Sequence, residues 1–506
     1  MSIAGRAGLL LGLCLLLLPV GAVLTRADWP LRFGPGDLAA VRFTLVQALV
    51  SAGLSILFAT CLARALARRR FPGREVLIQI LGAPFILPVI VAVLGLLAVW
   101  GRSGWVSDLI APLGLGPVDI YGFDGVVLAH VFFNLPLATR LILAGWGTVP
   151  AAHYRLAAQL GAGPRARFRL IEGPVLRATL PGAFLLIFLL CLASFAVVLT
   201  LGGGPRATSV ELAIFTALRF DFDPGRAAVL AVLQLGLGAV FAVILLSLTR
   251  AQAPLRGVVA APVLRVAGGK WLDVCVIGLA ALFVISPMVA MIARALPGMA
   301  ILADDGLWDA LWLSLRITAL SVTLCLGMAC LLARLAVGTF LIEGLGALVL
   351  VLSPFVLGTG LFLLILPWAD PFALTLPLTA GVNAILSLPF ALRVLVPALT
   401  RMHDSYGRLS QSLGLQRWDF LRLVLWPGLR APLGFAAGLT AALSMGDLGV
   451  IALFAPVDAA TLPLYMHRLM GAYRMADAAM AGLVLVAVSM VLFVALDWGG
   501  RRGRQL

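Results

Sequence analysis

Two stretches of this 506-residue sequence carry residue types suited to docking a partner, and they are one stretch written twice. The first is Arg155-Leu-Ala-Ala-Gln-Leu-Gly161, running on to Ile171-Glu-Gly-Pro174. The second is Arg408-Leu-Ser-Gln-Ser-Leu-Gly414, running on to Val424-Leu-Trp-Pro427. Gly161 to Gly414 and Pro174 to Pro427 are both steps of 253, with no gap between them. Each copy is basic, polar and helix-forming in an otherwise apolar chain. Gly161 and Gly414 permit the backbone that ends a short helix. The apolar residues after them are expected to pack a second helix back on the rest of the protein, with Pro174 and Pro427 marking its return to the next apolar span. The chemistry is recognition rather than bond making: a surface presented twice that seats something twice.

The second candidate is a carboxylate. Asp447 lies inside an apolar run, within Ser444-Met-Gly-Asp-Leu-Gly449, and Ser194 stands at its place 253 residues earlier. A carboxylate at membrane depth costs about 2.5–3.5 kcal/mol on insertion scales, so it should face a bundle interior or a wet cavity. Gly446 and Gly449 would let backbone or ligand come close. Asp447 then either lines a pathway and attracts a cation, or it caps a broken helix or pairs with a nearby cation such as Arg316.

Other chemistries find no constellation. A phosphate-binding loop needs Gly-Lys-Ser/Thr, and the one lysine, Lys270, is followed by Trp271. Gly202-Gly-Gly-Pro205 lacks that lysine and reads as a turn. The six cysteines form no C-x-x-C pair and the four histidines have no metal-ligand spacing, so neither a metal nor another cofactor is expected. Asp221, Asp223 and Arg226 read as a solvated loop or a partner contact, and Asp304-Asp305 as a solvated pair or helix cap.

These residues must be positioned by membrane helices. The chain is 62% hydrophobic with a mean hydropathy of +1.09, well above soluble domains. A spanning helix needs about 20 mostly apolar residues. Twelve stretches qualify: 8–24, 43–63, 76–100, 125–146, 180–201, 227–248, 272–293, 310–333, 345–367, 374–399, 433–454 and 478–496. Twelve spans put both termini on one side. With that side cytoplasmic, 26 of 37 Lys and Arg fall inside and 14 of 22 Asp and Glu fall outside, which satisfies the positive-inside rule. The net charge of +15 is therefore topological, and no nucleic-acid partner is expected. Both repeated loops become cytoplasmic. Leu135-Pro136 and Arg140 match Leu388-Pro389 and Arg393 at the same step, and Leu-Ala-Arg64 matches Leu-Ala-Arg334 at 270. We expect two parallel six-helix repeats, residues 1–255 and 256–506, with loops at about 150–178 and 401–431 and a pathway between the halves.

The loops resemble the cytoplasmic signature of ABC-importer permeases: Glu-Ala-Ala, three residues, Gly, nine residues, then Ile-x-Leu-Pro. Arg155, Ala157, Gly161 and Pro174 match it in spacing, as do Arg408, Ser410, Gly414 and Pro427, although arginine replaces the glutamate in both copies. Nearly the whole chain resembles the fused twelve-helix permeases of thiamine and thiamine-pyrophosphate importers of Gram-negative bacteria. Arg68-Arg-Arg-Phe-Pro-Gly-Arg74, Leu128-Ala-His-Val-Phe-Phe-Asn-Leu-Pro136, Ala193-Ser-Phe-Ala196, Asp221-Phe-Asp-Pro224 and Gly446-Asp-Leu-Gly-Val450 carry that likeness.

The resemblance implies an all-α type I importer permease in the bacterial inner membrane. It would not be an enzyme itself. Two copies of a cytoplasmic ATP-binding subunit would drive it, and a periplasmic binding protein would deliver the small-molecule substrate. Fused iron(III) permeases share the architecture and are the alternative. A secondary transporter needs more ionisable groups inside spans than Arg316 and Asp447. A polytopic membrane enzyme needs a catalytic cluster that is not found.

Overall fold

The computed structural model describes residues 17–27, 31–81, 87–202, 204, 207–249, 270–336, 352–456 and 459–501. Among these residues there is helix and no strand. That follows from the composition, since in hydrocarbon every backbone group must be satisfied within its own segment.

A short apolar helix, Leu17–Arg26, comes first. It is followed by α1 (Pro35–Arg68), α2 (Val89–Trp100), α3 (Phe123–Gly147), α4 (Ala151–Gln159), α5 (Gly173–Leu192), α6 (Ala196–Leu201), α7 (Val210–Arg219) and α8 (Pro224–Thr249). Then come α9 (Lys270–Ala295), α10 (Asp305–Ala336), α11 (Pro354–Ile365), α12 (Thr375–Ser412), α13 (Trp426–Met445), α14 (Gly449–Phe454), α15 (Leu462–Gly471) and α16 (Met475–Arg501).

Nine helices among the described residues are long and apolar enough to cross a membrane. The three other expected spans are partial. Residues 8–24 are described only from 17 onward, and 345–367 only from 352, where α11 is a shorter apolar helix. The stretch 433–454 is divided between α13 and α14. The stretch 180–201 also departs from expectation, because α5 stops at Leu192 and α6 begins at Ala196.

The helices interlock along the chain. α9 packs on α1 and α2. A Cβ built on Gly95 of α2 would sit 2.5 Å from the Pro287 carbonyl oxygen of α9, so only glycine fits there. In the other direction, the Pro19 carbonyl of Leu17–Arg26 lies against Gly360 of α11. The buried apolar cluster accordingly draws on residues from Ala22 to Leu485.

α13 and α16 make an extensive crossing. A Cβ on Gly434 would lie 2.5 Å from the Leu496 oxygen, and one on Gly438 2.9 Å from the Phe493 oxygen. Membrane helices associate through such small-residue contacts because lipid gives them no hydrophobic drive. Gly434→Leu is therefore expected to cost about 3 kcal/mol, the upper end for overpacking. Less protein should survive detergent extraction and size-exclusion chromatography. A normal monodisperse yield would show that the crossing can relax.

Candidate functional site

The two repeated loops have the same local structure. α4 and the end of α12 each close on a left-handed glycine, Gly161 at φ +64 and Gly414 at φ +63. The Ala162 N–H donates to the Ala157 carbonyl at 2.9 Å and the Gly161 N–H to the Ala158 carbonyl at 3.1 Å. In the second loop the Leu415 N–H donates to the Ser410 carbonyl at 2.9 Å and the Gly414 N–H to the Gln411 carbonyl at 3.2 Å. This paired pattern is the Schellman helix stop. Ala157 and Ser410 thus contribute their carbonyls, and the Ser410 hydroxyl donates to the Gly407 carbonyl of its own helix.

Pro174 and Pro427 stand at the second position of α5 and α13. Each follows without a break from a wide turn at Phe168–Glu172 or Leu421–Leu425. There the Gly173 N–H bonds the Phe168 carbonyl and the Trp426 N–H the Leu421 carbonyl, five residues back. Proline has no N–H and crowds the carbonyl four residues earlier. The wide turn shifts the bonding register so that the helix continues through it.

What each loop offers a partner is partly apolar. Leu156, Leu160 and Leu170 are exposed, and so are their counterparts Leu409, Leu413 and Leu423. Arg155 is also exposed. For Arg408 the structure describes backbone only. These leucines repeat at the same spacing of 253 as the basic and small residues, so the sequence carries them too.

The loops differ in how they are anchored. In the first, Glu172 is buried and pairs with Arg64 at 3.1 Å and Arg68 at 3.9 Å, both near the end of α1. Tyr154 lies close by with a buried hydroxyl that has no partner among the described residues. Burial, reinforced by the Glu172 charge, pushes that phenol up to about 12. The second loop has Leu425 at the place of Glu172. Glu172→Ala leaves two arginines without their carboxylate. It is expected to destabilise the permease by about 2 kcal/mol, since the pair is buried on one side only. Thermal unfolding in detergent reads this, and an unchanged midpoint would mean water replaces the carboxylate.

Deeper in the bundle, the two helix breaks also match. Ala193-Ser-Phe195 separates α5 from α6 and Gly446-Asp-Leu448 separates α13 from α14, again 253 apart. Asp447 caps α14: its carboxylate accepts from the Gly449, Val450 and Ile451 N–H groups at 3.1, 3.3 and 3.4 Å. Among the described residues it forms no ion pair with Arg316, which is exposed on α10. Ser194 does not cap its helix. Its hydroxyl is 2.7 Å from His130 Nε2, and His130 Nδ1 is 3.3 Å from the Ser51 hydroxyl.

The second half repeats this polar layer with other residues. Asn383, at the place of His130, donates to the Ser444 hydroxyl at 3.3 Å, and Ser444 donates to Ser321 at 3.0 Å. Nothing local to His130 in the sequence marks this role. The signal was its alignment with Asn383, and that of Ser51 with Ser321 at the 270 step.

The breaks converge. A Cβ on Gly449 would meet Phe355 at 3.3 Å, Phe195 at 3.5 Å and Asp447 Oδ1 at 3.8 Å. The Phe195 and Phe355 rings are 4.3 Å apart between centroids, with Phe215 at 5.2 Å from Phe195. Ser194, Gly446, Asp447 and Gly449 all keep partial exposure although buried core surrounds them. The arrangement sets a carboxylate and a serine hydroxyl beside buried aromatic rings at the two helix breaks.

No protein-family model matches the chain. Comparison with characterised proteins finds relatives along most of its length. The thiamine transport system permease protein ThiP of Brucella abortus (strain 2308) is 41% identical over 472 residues, covering 90% of this chain and 86% of the relative. ThiP of Escherichia coli (strain K12) is 41% identical over 482 residues, covering 90% and 88%. ThiP of Haemophilus influenzae (strain ATCC 51907 / DSM 11121 / KW20 / Rd) is 36% identical over 483 residues, covering 90% and 87%.

Proposed function

We propose, from the premise that this chain belongs to the family of thiamine transport system permeases, that it forms the membrane pathway through which an ATP-driven importer passes thiamine or thiamine pyrophosphate. The chain is a transport subunit of the ABC class and a multi-pass inner-membrane protein, and such permeases work with ATP-binding and substrate-binding partners. The observation that carries the substrate reading is identity near 40% along nine-tenths of the chain to permeases named for thiamine.

Our reading divides the chain into repeats 1–255 and 256–506 with both termini in the cytoplasm. Each repeated loop seats one of two copies of the ATP-binding subunit. Three exposed leucines per loop would fill apolar depressions, and Arg155 would stand at the rim of the first. A permease without a phosphate-binding loop takes its energy from those subunits. The periplasmic binding protein docks on the opposite face, and nucleic acid has no part.

Ser194 and Asp447 line the pathway between the halves. Two observations support this: their matched positions at the two helix breaks, and their partial exposure inside the bundle. Capping does not exclude lining. The Asp447 oxygens bond backbone on one side, and the carboxylate still contributes negative potential on the other. Thiamine carries a fixed positive charge, and aromatic faces also attract cations.

The test is reconstitution of the permease, its ATP-binding subunit and the binding protein in proteoliposomes. We expect uptake of labelled thiamine that needs ATP and all three components and is blocked by unlabelled thiamine or its pyrophosphate. Uptake of iron(III) with no thiamine uptake would replace this reading by the alternative. Uptake that persists without the ATP-binding subunit would move the protein to the secondary transporters.

A further inference from the structure

We propose that the second half holds a phospholipid head group in a cleft at the ends of α12, α13 and α16, on the side of the repeated loops. This site lies apart from the solute pathway and does not depend on which solute is carried. The cleft measures about 520 Å3. α12 contributes Arg401, Ser405 and Tyr406, α13 contributes Phe435, and α16 contributes Asp497 and Arg501. Each helix presents one face, at spacings of three and four residues.

The chemistry suits one phosphodiester. Arg401 donates its Nε to the Pro397 carbonyl at 3.2 Å, which holds the guanidinium arm in place and leaves its terminal nitrogens for a ligand. Arg501 is held by Asp497 at 2.8 Å. Two arginines and one aspartate leave a net charge of +1, which a single phosphodiester balances. The Ser405 and Tyr406 hydroxyls can donate to its oxygens.

The surroundings assign the phosphate to a lipid rather than to solution. Along α16, Met490 and Val494 are exposed and share a face with Asp497 and Arg501, so an apolar track leads from the bilayer to the arginines. Met402, Ala398 and Phe435 continue that apolar lining inside the cleft. Basic pockets between helices on the cytoplasmic side are suited to lipid head groups. The first half does not repeat these residues: Thr148, Ala152 and His153 stand where Arg401, Ser405 and Tyr406 would be. They are therefore not part of what the loops share.

The experiment is native mass spectrometry of the intact permease complex, purified from bacterial membranes in mild detergent. We expect one phospholipid per permease to survive detergent exchange. The double variant Arg401→Ala, Arg501→Ala should lower that occupancy at least tenfold, whereas Arg177→Ala on the other loop should leave it unchanged. Millimolar inorganic phosphate should not displace the lipid. Displacement would reassign the cleft to a free anion, and equal occupancy in the double variant, or none in the parent, would overturn the proposal. A second measurement needs no variant. A phospholipid with a photoreactive group on its acyl chain should cross-link to peptides of α13 and α16 around the cleft. Even labelling of all membrane-facing helices would count equally against the site.

Discussion

Replacing Gly161 and Gly414 together by proline is expected to lower ATP-driven uptake at least tenfold while the protein still reaches the membrane. Both glycines hold φ near +64, and proline locks φ near −65°. Both also donate an N–H that closes the helix stop, and proline has none. The end of each loop helix therefore cannot form, and the exposed leucines lose their fixed positions. The rest of the fold is spared, because no atom lies within 4 Å of where a Cβ would stand at either position. Alanine provides the graded comparison. It meets open space and carries only the left-handed backbone penalty of roughly 1–2 kcal/mol per site, so the alanine pair should retain more uptake than the proline pair. Uptake by membrane vesicles, normalised to immunoblotted permease, decides the matter. Parental uptake by the proline pair at equal protein would remove the docking role from the loops.

The second large effect is expected at Asp447. Asp447→Asn keeps one acceptor oxygen for the α14 N–H groups and removes the charge. Asp447→Ala removes both. If the carboxylate attracts a cation on the pathway, the asparagine variant should assemble normally and lose about tenfold in uptake. That equals about 1.4 kcal/mol of interaction, modest for a partly screened charge. The alanine variant should also lose assembly, since a cap removed at a buried helix start costs about 1–2 kcal/mol. Asparagine behaving like the parent while alanine fails would leave Asp447 with capping alone.

Much of this was legible in the sequence, for identifiable reasons. The loops were readable because Gly161 and Gly414 are the only residue type that takes φ near +64 without strain, so the pattern betrays the helix stop. The apolar runs were readable because lipid leaves the backbone no choice but helix. The break at 446–448 was signalled by Asp447, whose type suits the cap of a broken helix, but the break at 193–195 was not, because a hydropathy window passes over three residues when its neighbours are apolar. Ala193-Ser-Phe195 contains no glycine or proline at all. The wide turns at Phe168–Glu172 and Leu421–Leu425 were hidden too, since proline reads as a helix boundary unless the preceding turn absorbs it. His130 escaped because its partners, Ser51 and Ser194, are far away in the chain.

The interlock of the early helices has a consequence for how the protein is made. Leu17–Arg26 packs against Gly360, so this first helix leaves the ribosome some 330 residues before its resting place exists. At roughly 5–20 residues per second, that is a wait of about 15–70 seconds. α1 and α2 wait in the same way for α9. During that interval the nascent bundle displays faces such as Gly95 that have no partner yet, and lipid or the insertion machinery must shelter them. A chain that stops at residue 255 never meets α9 or Gly360, and quality-control proteases should clear it faster than the full-length protein.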